Sequence, residues 1–123
     1  MREYATNILE AKDIEVSFNI EEEVNDVKLD MEARRDFFLV FKEAVNNAAK
    51  YSKAEKVKIN LFILTGQLTL EVIDDGEGFD VAHADSGNGL SNMQKRADAM
   101  QGRLQIISKK GNGTIVKLAV PFN

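Results

Sequence analysis

Apolar residues recur along this 123-residue chain with two periods, and the switches between them outline the elements. The longest helical pattern is FFLVFKEAVNNAAKY, Phe37 to Tyr51. At about 100° per residue, Phe37, Phe38, Phe41, Val45 and Ala48 share one side, and Asp36, Glu43, Asn47 and Lys50 share the opposite side. Asp30 stands where an N-cap is needed, with Glu32 in the first turn, where the helix dipole favours negative charge. Upstream, Tyr4, Ile8 and Ala11 mark the common face of a short helix within Met1 to Lys12, too short to persist unless it docks. Ile14, Val16, Phe18 and Ile20 then alternate with Glu15, Ser17 and Asn19, the period of a strand with one buried face. An acidic loop, Glu21-Glu22-Glu23, follows it.

Beyond the long helix the period returns to two. Val57, Ile59, Leu61 and Ile63 alternate with Lys58, Asn60, Phe62 and Leu64, Thr65-Gly66-Gln67 reads as a turn, and Leu68 to Ile73 returns as the second strand of a hairpin. Asp74 to Asn88, rich in Gly and Asp, has no apolar period and reads as a loop. A second helix is predicted from Gly89 to Gln101, with Leu90, Met93, Ala97 and Met100 on its buried side and Gly102 at C′. Arg103 to Ser108, a turn over Lys109 to Gly113, and Thr114 to Val120 complete a second hairpin. With no repeat and no linker, these elements predict an α+β fold. It is a two-layer α/β sandwich whose mixed, mostly antiparallel sheet is covered by helices on one face.

Composition narrows the partners. Apolar residues make up 44% of the chain, charged residues 29%, and the net charge is −4. No run of Lys or Arg is long, so broad electrostatic binding to nucleic acid or to an anionic membrane is not expected. There is no cysteine, which excludes disulfides and thiolate metal sites. The apolar runs are far short of a membrane span and the N-terminus has no signal-peptide pattern. A soluble cytoplasmic domain is the expectation.

Several places carry candidate chemistry. Glu43 and Asn47 are spaced i,i+4, so they sit one above the other, with Lys50 beyond them. A carboxylate, an amide oxygen and a cation in one stripe suit a hard metal and phosphate, although a solvated helix face has the same composition. Asp74-Asp75-Gly76-Glu77-Gly78-Phe79 ends the central strand. Its two glycines allow close backbone approach, and a carboxylate buried there would accept from an exocyclic amine; a simple Asp-Gly turn is the alternative. Gly87-Asn88-Gly89-Leu90 leads into the second helix, where free N–H groups form an anion site, or a plain helix start. Hairpin-turn chemistry accounts for Gly111-Asn112-Gly113-Thr114, apart from the Thr114 hydroxyl. The single histidine, His83, has no partner at metal-ligand spacing and reads as an exposed loop residue. Lys95 and Arg96 could reach phosphates or be solvated charges, and Arg96 is the better placed, beside Met93 and Ala97.

The order of these pieces is more specific than any one of them. E-x-x-x-N-A-x-K over Glu43 to Lys50, D-x-G-x-G-F over Asp74 to Phe79, G-x-G-L over Gly87 to Leu90 and G-x-G-T over Gly111 to Thr114 resemble the ATP-binding domain of the GHKL superfamily. That superfamily joins histidine kinases, DNA gyrase B subunits, MutL and a heat-shock chaperone. The likeness is greatest to the catalytic domain of bacterial two-component sensor histidine kinases, in the branch with G-x-G-L-x-x-M and a following Arg, here Gly87, Gly89, Leu90, Met93 and Arg96. It runs from about Ile14 to Phe122.

The resemblance implies ATP and Mg²⁺ as cofactors. Asn47 would ligate Mg²⁺, Glu43 would orient or deprotonate the attacking group and reach the ion through water, and Lys50 would contact phosphate. Asp74 would bind the adenine amine, with Gly76, Gly78 and Phe79 shaping the pocket and Thr114 supporting the contact through water. Gly87, Gly89, Leu90, Arg96 and Tyr51 complete the nucleotide site, and Asp80 to Ser86 would be a short lid. Tyr51 stands where this branch often has His, a change expected to be tolerated. The phosphoacceptor histidine of such kinases has no counterpart here, so residues 1–12 are expected to be a connector or the end of the dimerisation helix, and 13–123 the catalytic domain. The implied activity is transfer of the γ-phosphoryl group of ATP to a histidine on a separate dimerisation domain, and onward to a response regulator. No autophosphorylation is expected of this chain alone. It would be monomeric and cytoplasmic, in some settings as part of a membrane-bound sensor. The alternatives are a non-catalytic adenine-nucleotide sensor and an anti-sigma-type serine kinase of the same superfamily.

Overall fold

The computed structural model describes residues 1–51, 53–77, 88–108 and 110–122, and of 51, 88 and 89 the backbone alone. The order is α1 (Arg2–Glu10), β1 (Glu15–Ile20), a 3-10 turn (Glu22–Asp26), α2 (Met31–Tyr51), β2 (Lys56–Leu64), β3 (Gln67–Asp74), α3 (Asn88–Ala99), β4 (Arg103–Ser108) and β5 (Thr114–Pro121). The five strands form one sheet in the order β1-β2-β3-β5-β4. β1 and β2 are parallel because α2 lies between them in the chain, and the other three pairings are antiparallel.

Alternation sets the register. Val16, Phe18 and Ile20 stand beside Val57, Ile59 and Leu61, which face Asp74, Val72 and Leu70, so one face of the sheet is apolar except at the end that holds Asp74. All three helices pack on that face, and Leu9, Phe41, Val45, Met93 and Ala97 share a core with Ile59, Leu70, Val72 and Leu118. The buried side of α2 is wider than the pattern drawn from Phe37, Phe41, Val45 and Ala48, since Val40 and Ala44 also lie in the core. Phe38 is only half-buried, covered edge-on by Tyr4 at 5.9 Å between ring centroids.

Helix ends account for most departures from the predicted boundaries. Asp30 caps α2 as expected, its Oδ1 accepting from Ala33 N–H at 2.8 Å. The buried side of α1 is centred on Ala5 and Leu9, whereas Ala11 is exposed, because the helix ends at Glu10. Asp13 takes a left-handed conformation (φ 58°), and the N–H groups of Asp13 and Ile14 bond back to Glu10 and Leu9. α3 ends the same way. Gln101 (φ 56°) is the left-handed C′ residue, and the Gly102 N–H bonds the Ala97 carbonyl at 2.8 Å. Gly102 is therefore the residue after C′, and its reason is space: a Cβ there would meet the Ala119 carbonyl at 2.8 Å.

The remaining shifts are small. Gln67 and Asp74 belong to β3, leaving Thr65-Gly66 as a two-residue turn with both φ positive, 49° and 75°. Asn88 already belongs to α3, and the acidic loop is wound into the 3-10 turn. The predicted lid Asp80 to Ser86, with His83, Gly78, Phe79 and Gly87, lies outside the described residues.

Candidate functional site

One end of the sheet collects the polar groups. Val57, Asp74, Thr114 and Ser108 form a cross-strand row where β2 and β5 begin and β3 and β4 end. Side chains in such a row share a face, here the one that the helices cover. Asp74 and Thr114 are each only 7% exposed.

The Asp74 carboxylate is held by backbone. Its Oδ1 accepts from Gly76 N–H at 2.9 Å, an Asx turn formed as the chain leaves β3. Burial pushes this carboxyl above the ordinary aspartate value, against the Gly76 and Thr114 N–H groups, which pull it down; the charge of Asp75 adds a smaller upward push. A carboxylate accepts at about four positions, so these donors leave it room for a ligand amine.

Three neighbours fix Asp74 in place, and none is evident from the motif letters. Asp75 Oδ1 accepts from the N–H groups of Glu55 and Lys56, at 2.9 and 3.0 Å, fastening the start of β2 to the end of β3. The Lys56 N–H, foremost among these donors, holds the Asp75 carboxyl below its ordinary value. Gly111 N–H donates to the Glu77 carbonyl, so the β4–β5 turn is tied to the segment after Asp74. Gly113 (φ 76°) lies directly against Asp74: a Cβ there would stand 2.3 Å from the Asp74 carbonyl oxygen. The Gly-x-Gly-Thr stretch is thus more than hairpin-turn chemistry.

α2 brings the second group to this end. Residues 52–55 alone join α2 to β2, so the last turn of α2 lies within about 18 Å of the strand start that pairs beside Asp74 and Asp75. Asn47 and Lys50 are on that last stretch, with Glu43 one turn back. Glu43 and Asn47 are half-buried and Lys50 is exposed, as expected of a polar stripe at the rim of a cleft. α3 runs back from the far end of the sheet, where Arg103 pairs with Ala119, and this brings its N-terminus, with Gly89 and half-buried Leu90, toward the same end. Its first N–H groups have no helical partner and suit an anion.

Arg96 is placed differently. Its guanidinium donates to Asp36 Oδ1 at 2.9 Å, joining α3 to α2. Asp36 precedes Asn47 by eleven residues, about 16 Å along a helix, so Arg96 is not brought to the end that holds Asn47, Asp74 and Thr114. The pair could have been suspected from the sequence, because Asp36 lies on the same stripe as Glu43 and Asn47.

The residues fit a magnesium nucleotide. Mg²⁺ is commonly held by one or two side-chain oxygens, water and substrate phosphates, with no dedicated cage. Asn47 and Glu43 can supply those oxygens, and no cluster of three or more His, Asp or Glu suited to a metal exists among the described residues. Among the described residues no helix is long and apolar enough to cross a membrane.

Comparison with known proteins shows the family and the fold. Residues 32–123 match the family described as histidine kinase-, DNA gyrase B- and HSP90-like ATPase. The chain is 32% identical over 123 residues to the sensor histidine kinase LiaS of Bacillus subtilis, covering 99% of this chain and 34% of that protein. It is 31% identical to the signal transduction histidine-protein kinase/phosphatase DegS of the same organism, covering 89% of this chain and 30% of DegS. It therefore spans about a third of the length of these relatives. Among solved structures, the histidine kinase domain of the blue-light activated histidine kinase from Erythrobacter litoralis EL346 superposes with a TM-score of 0.81. The sequence identity is 21%, and the match covers 96% of this chain and 57% of that one.

Proposed function

Because this chain belongs to the histidine kinase-, DNA gyrase B- and HSP90-like ATPases, we propose that it binds Mg²⁺-ATP at the Asp74 end of the sheet and supplies its γ-phosphoryl group to a histidine on a separate dimerisation domain. The observation that carries this is the Asp74 carboxylate, buried and bonded by backbone N–H groups, at the same end as the half-buried Glu43/Asn47 pair. Asp74 accepts from the adenine amine and Gly76 and Thr114 line the base; the sequence resemblance assigns Gly78, Phe79 and Tyr51 to the same nucleotide. Gly89 and Leu90 at the start of α3, together with Lys50, take the phosphates, a role the sequence resemblance gives to Gly87 as well, while Arg96 stays with Asp36.

Phosphoryl transfer asks for positioning and charge neutralisation more than for covalent chemistry. Asn47 would hold the Mg²⁺, with Glu43 reaching it through water, and the ion would supply positive charge against the phosphates. Glu43 also orients the incoming imidazole and takes its proton. The bond between the γ-phosphorus and the bridging oxygen breaks, ADP leaves, and a phosphorus–nitrogen bond forms. The phosphoryl group then passes to an aspartate of a response regulator. On this proposal the domain works in the cytoplasm, and residues 1–12 are a connector from the dimerisation helices that has come to pack on α2.

The test is Asn47→Asp, measured by calorimetry with Mg²⁺-ATP and by transfer from radiolabelled ATP to a separately supplied dimerisation hairpin. Loss of affinity or of transfer is expected. Unchanged values in both would remove Asn47 from the site. Binding by the natural chain without transfer would favour a nucleotide-sensing role.

A further inference from the structure

Ser108 takes no part in the function proposed above, yet it ends the same row as Asp74 and Thr114. Its Oγ lies 2.7 Å from Thr114 Oγ1 and donates to the Gly113 carbonyl at 3.2 Å. Each hydroxyl has one proton to give. With the Ser108 proton on Gly113, the 2.7 Å contact must use the proton of Thr114. Only this order makes both bonds at once; the reverse leaves the Gly113 carbonyl without the Ser108 proton. Thr114 Oγ1 then offers lone pairs alone, next to a carboxylate that also only accepts when ionised. Asp74 and Thr114 thus both present acceptors, and the polarity of Thr114 is set one strand further on, at Ser108.

We propose that Ser108 is a specificity-determining positioning residue, which orients the Thr114 hydroxyl so that the pocket prefers a purine with an exocyclic 6-amine over one with a 6-keto oxygen. This rests on the adenine-nucleotide function proposed above. An amine brings two protons to the acceptors, one for Asp74 and one for Thr114 directly or through a water. A keto oxygen brings a further acceptor, and unpaired polar groups are what sites of this kind reject. Without Ser108 the Thr114 proton is released and can turn into the pocket to meet a keto oxygen. Ser108 stands beyond Thr114 from Asp74, so its effect is on the choice of base and not on the phosphate end.

The experiment measures binding of ATP and inosine triphosphate, each with Mg²⁺, to the natural chain and to Ser108→Ala, Ser108→Thr and Ser108→Cys. The natural chain is expected to prefer ATP. Ser108→Ala lowers the ATP-to-inosine ratio about three- to ten-fold, the worth of one hydrogen bond. Ser108→Thr, which keeps the hydroxyl, holds the ratio near the natural value, and Ser108→Cys falls between. Should Ser108→Ala weaken both nucleotides alike, or neither, the proposal is overturned and Ser108 is a packing residue. If Ser108→Ala does not fold, the cysteine variant decides, and an unchanged ratio there is equally fatal. A natural chain that binds neither nucleotide removes the proposed function itself, whereas one that binds both with a ratio unmoved by Ser108 removes only this inference.

Discussion

Gly113 gives the sharpest stability test, because two costs of replacing it can be separated. Alanine at φ 76° enters the left-handed region, at about 1–2 kcal/mol. Its Cβ would also stand 2.3 Å from the Asp74 carbonyl oxygen, where real contacts stay beyond 3.0 Å, so β3 or the turn must move by 0.7 Å or more (3.0 − 2.3). Both partners are backbone in paired strands, which cannot yield as a side-chain tip can, and overpacking of this kind costs about 1–3 kcal/mol more. Gly66 is the internal control: its φ is 75°, and a Cβ there meets nothing within 4 Å. Gly66→Ala should therefore lose only the conformational part. Gly113→Ala should lose about 2–5 kcal/mol in denaturant unfolding, and its melting temperature should fall by roughly 4 °C per kcal/mol. It should also bind Mg²⁺-ATP more weakly, since the displaced atoms belong to Asp74. If the two variants unfold alike, the close approach has no energetic meaning and the account of how Asp74 is placed is wrong.

Two further outcomes follow from the same row. Burial raises the Asp74 carboxyl, so it takes up a proton at a higher pH than an ordinary aspartate, and the protonated form accepts poorly from an amine. Nucleotide affinity should thus fall on acidification before the pH reaches 3.8, the ordinary aspartate value; affinity that stays flat down to that value in calorimetry would exclude an ionised Asp74 as the base contact. Asp75 has the opposite sign. Its carboxyl is lowered, so its stabilisation is present above the unfolded value of 3.8 and is lost as pH falls through the lower folded value. Asp75→Ala should cost on the order of 1 kcal/mol at pH 7 and less at pH 3, and a loss independent of pH would show that the two N–H bonds are not the cause.

How far the pattern of residues could be followed differs from element to element. The strand alternation at Val57, Ile59 and Leu61 and the Asp30 cap were legible because their causes are local: a side chain every second residue, and an oxygen within reach of the N–H three residues on. The end of α1 was not, since Asp13 was not recognisable as a left-handed residue until Ile14 and Leu9 were both buried behind it. Gly102 and Gly113 were visible as glycines, but their reasons lie in Ala119 and Asp74, on other strands.

The sequence by itself determined which groups could do chemistry: a carboxylate and an amide one helical turn apart, an aspartate closing a strand, glycines where backbone must come close. Periodicity and short-range hydrogen bonding suffice for that, because they act over a few residues. Only the tertiary structure decided which of those groups meet. It drew Asp74, Thr114 and Ser108 into one row, set Asp75 and Gly113 as their supports, and gave Arg96 to Asp36. Such outcomes depend on strand order and helix packing, which are settled by burying the whole apolar face at once and leave no mark in any single stretch of chain.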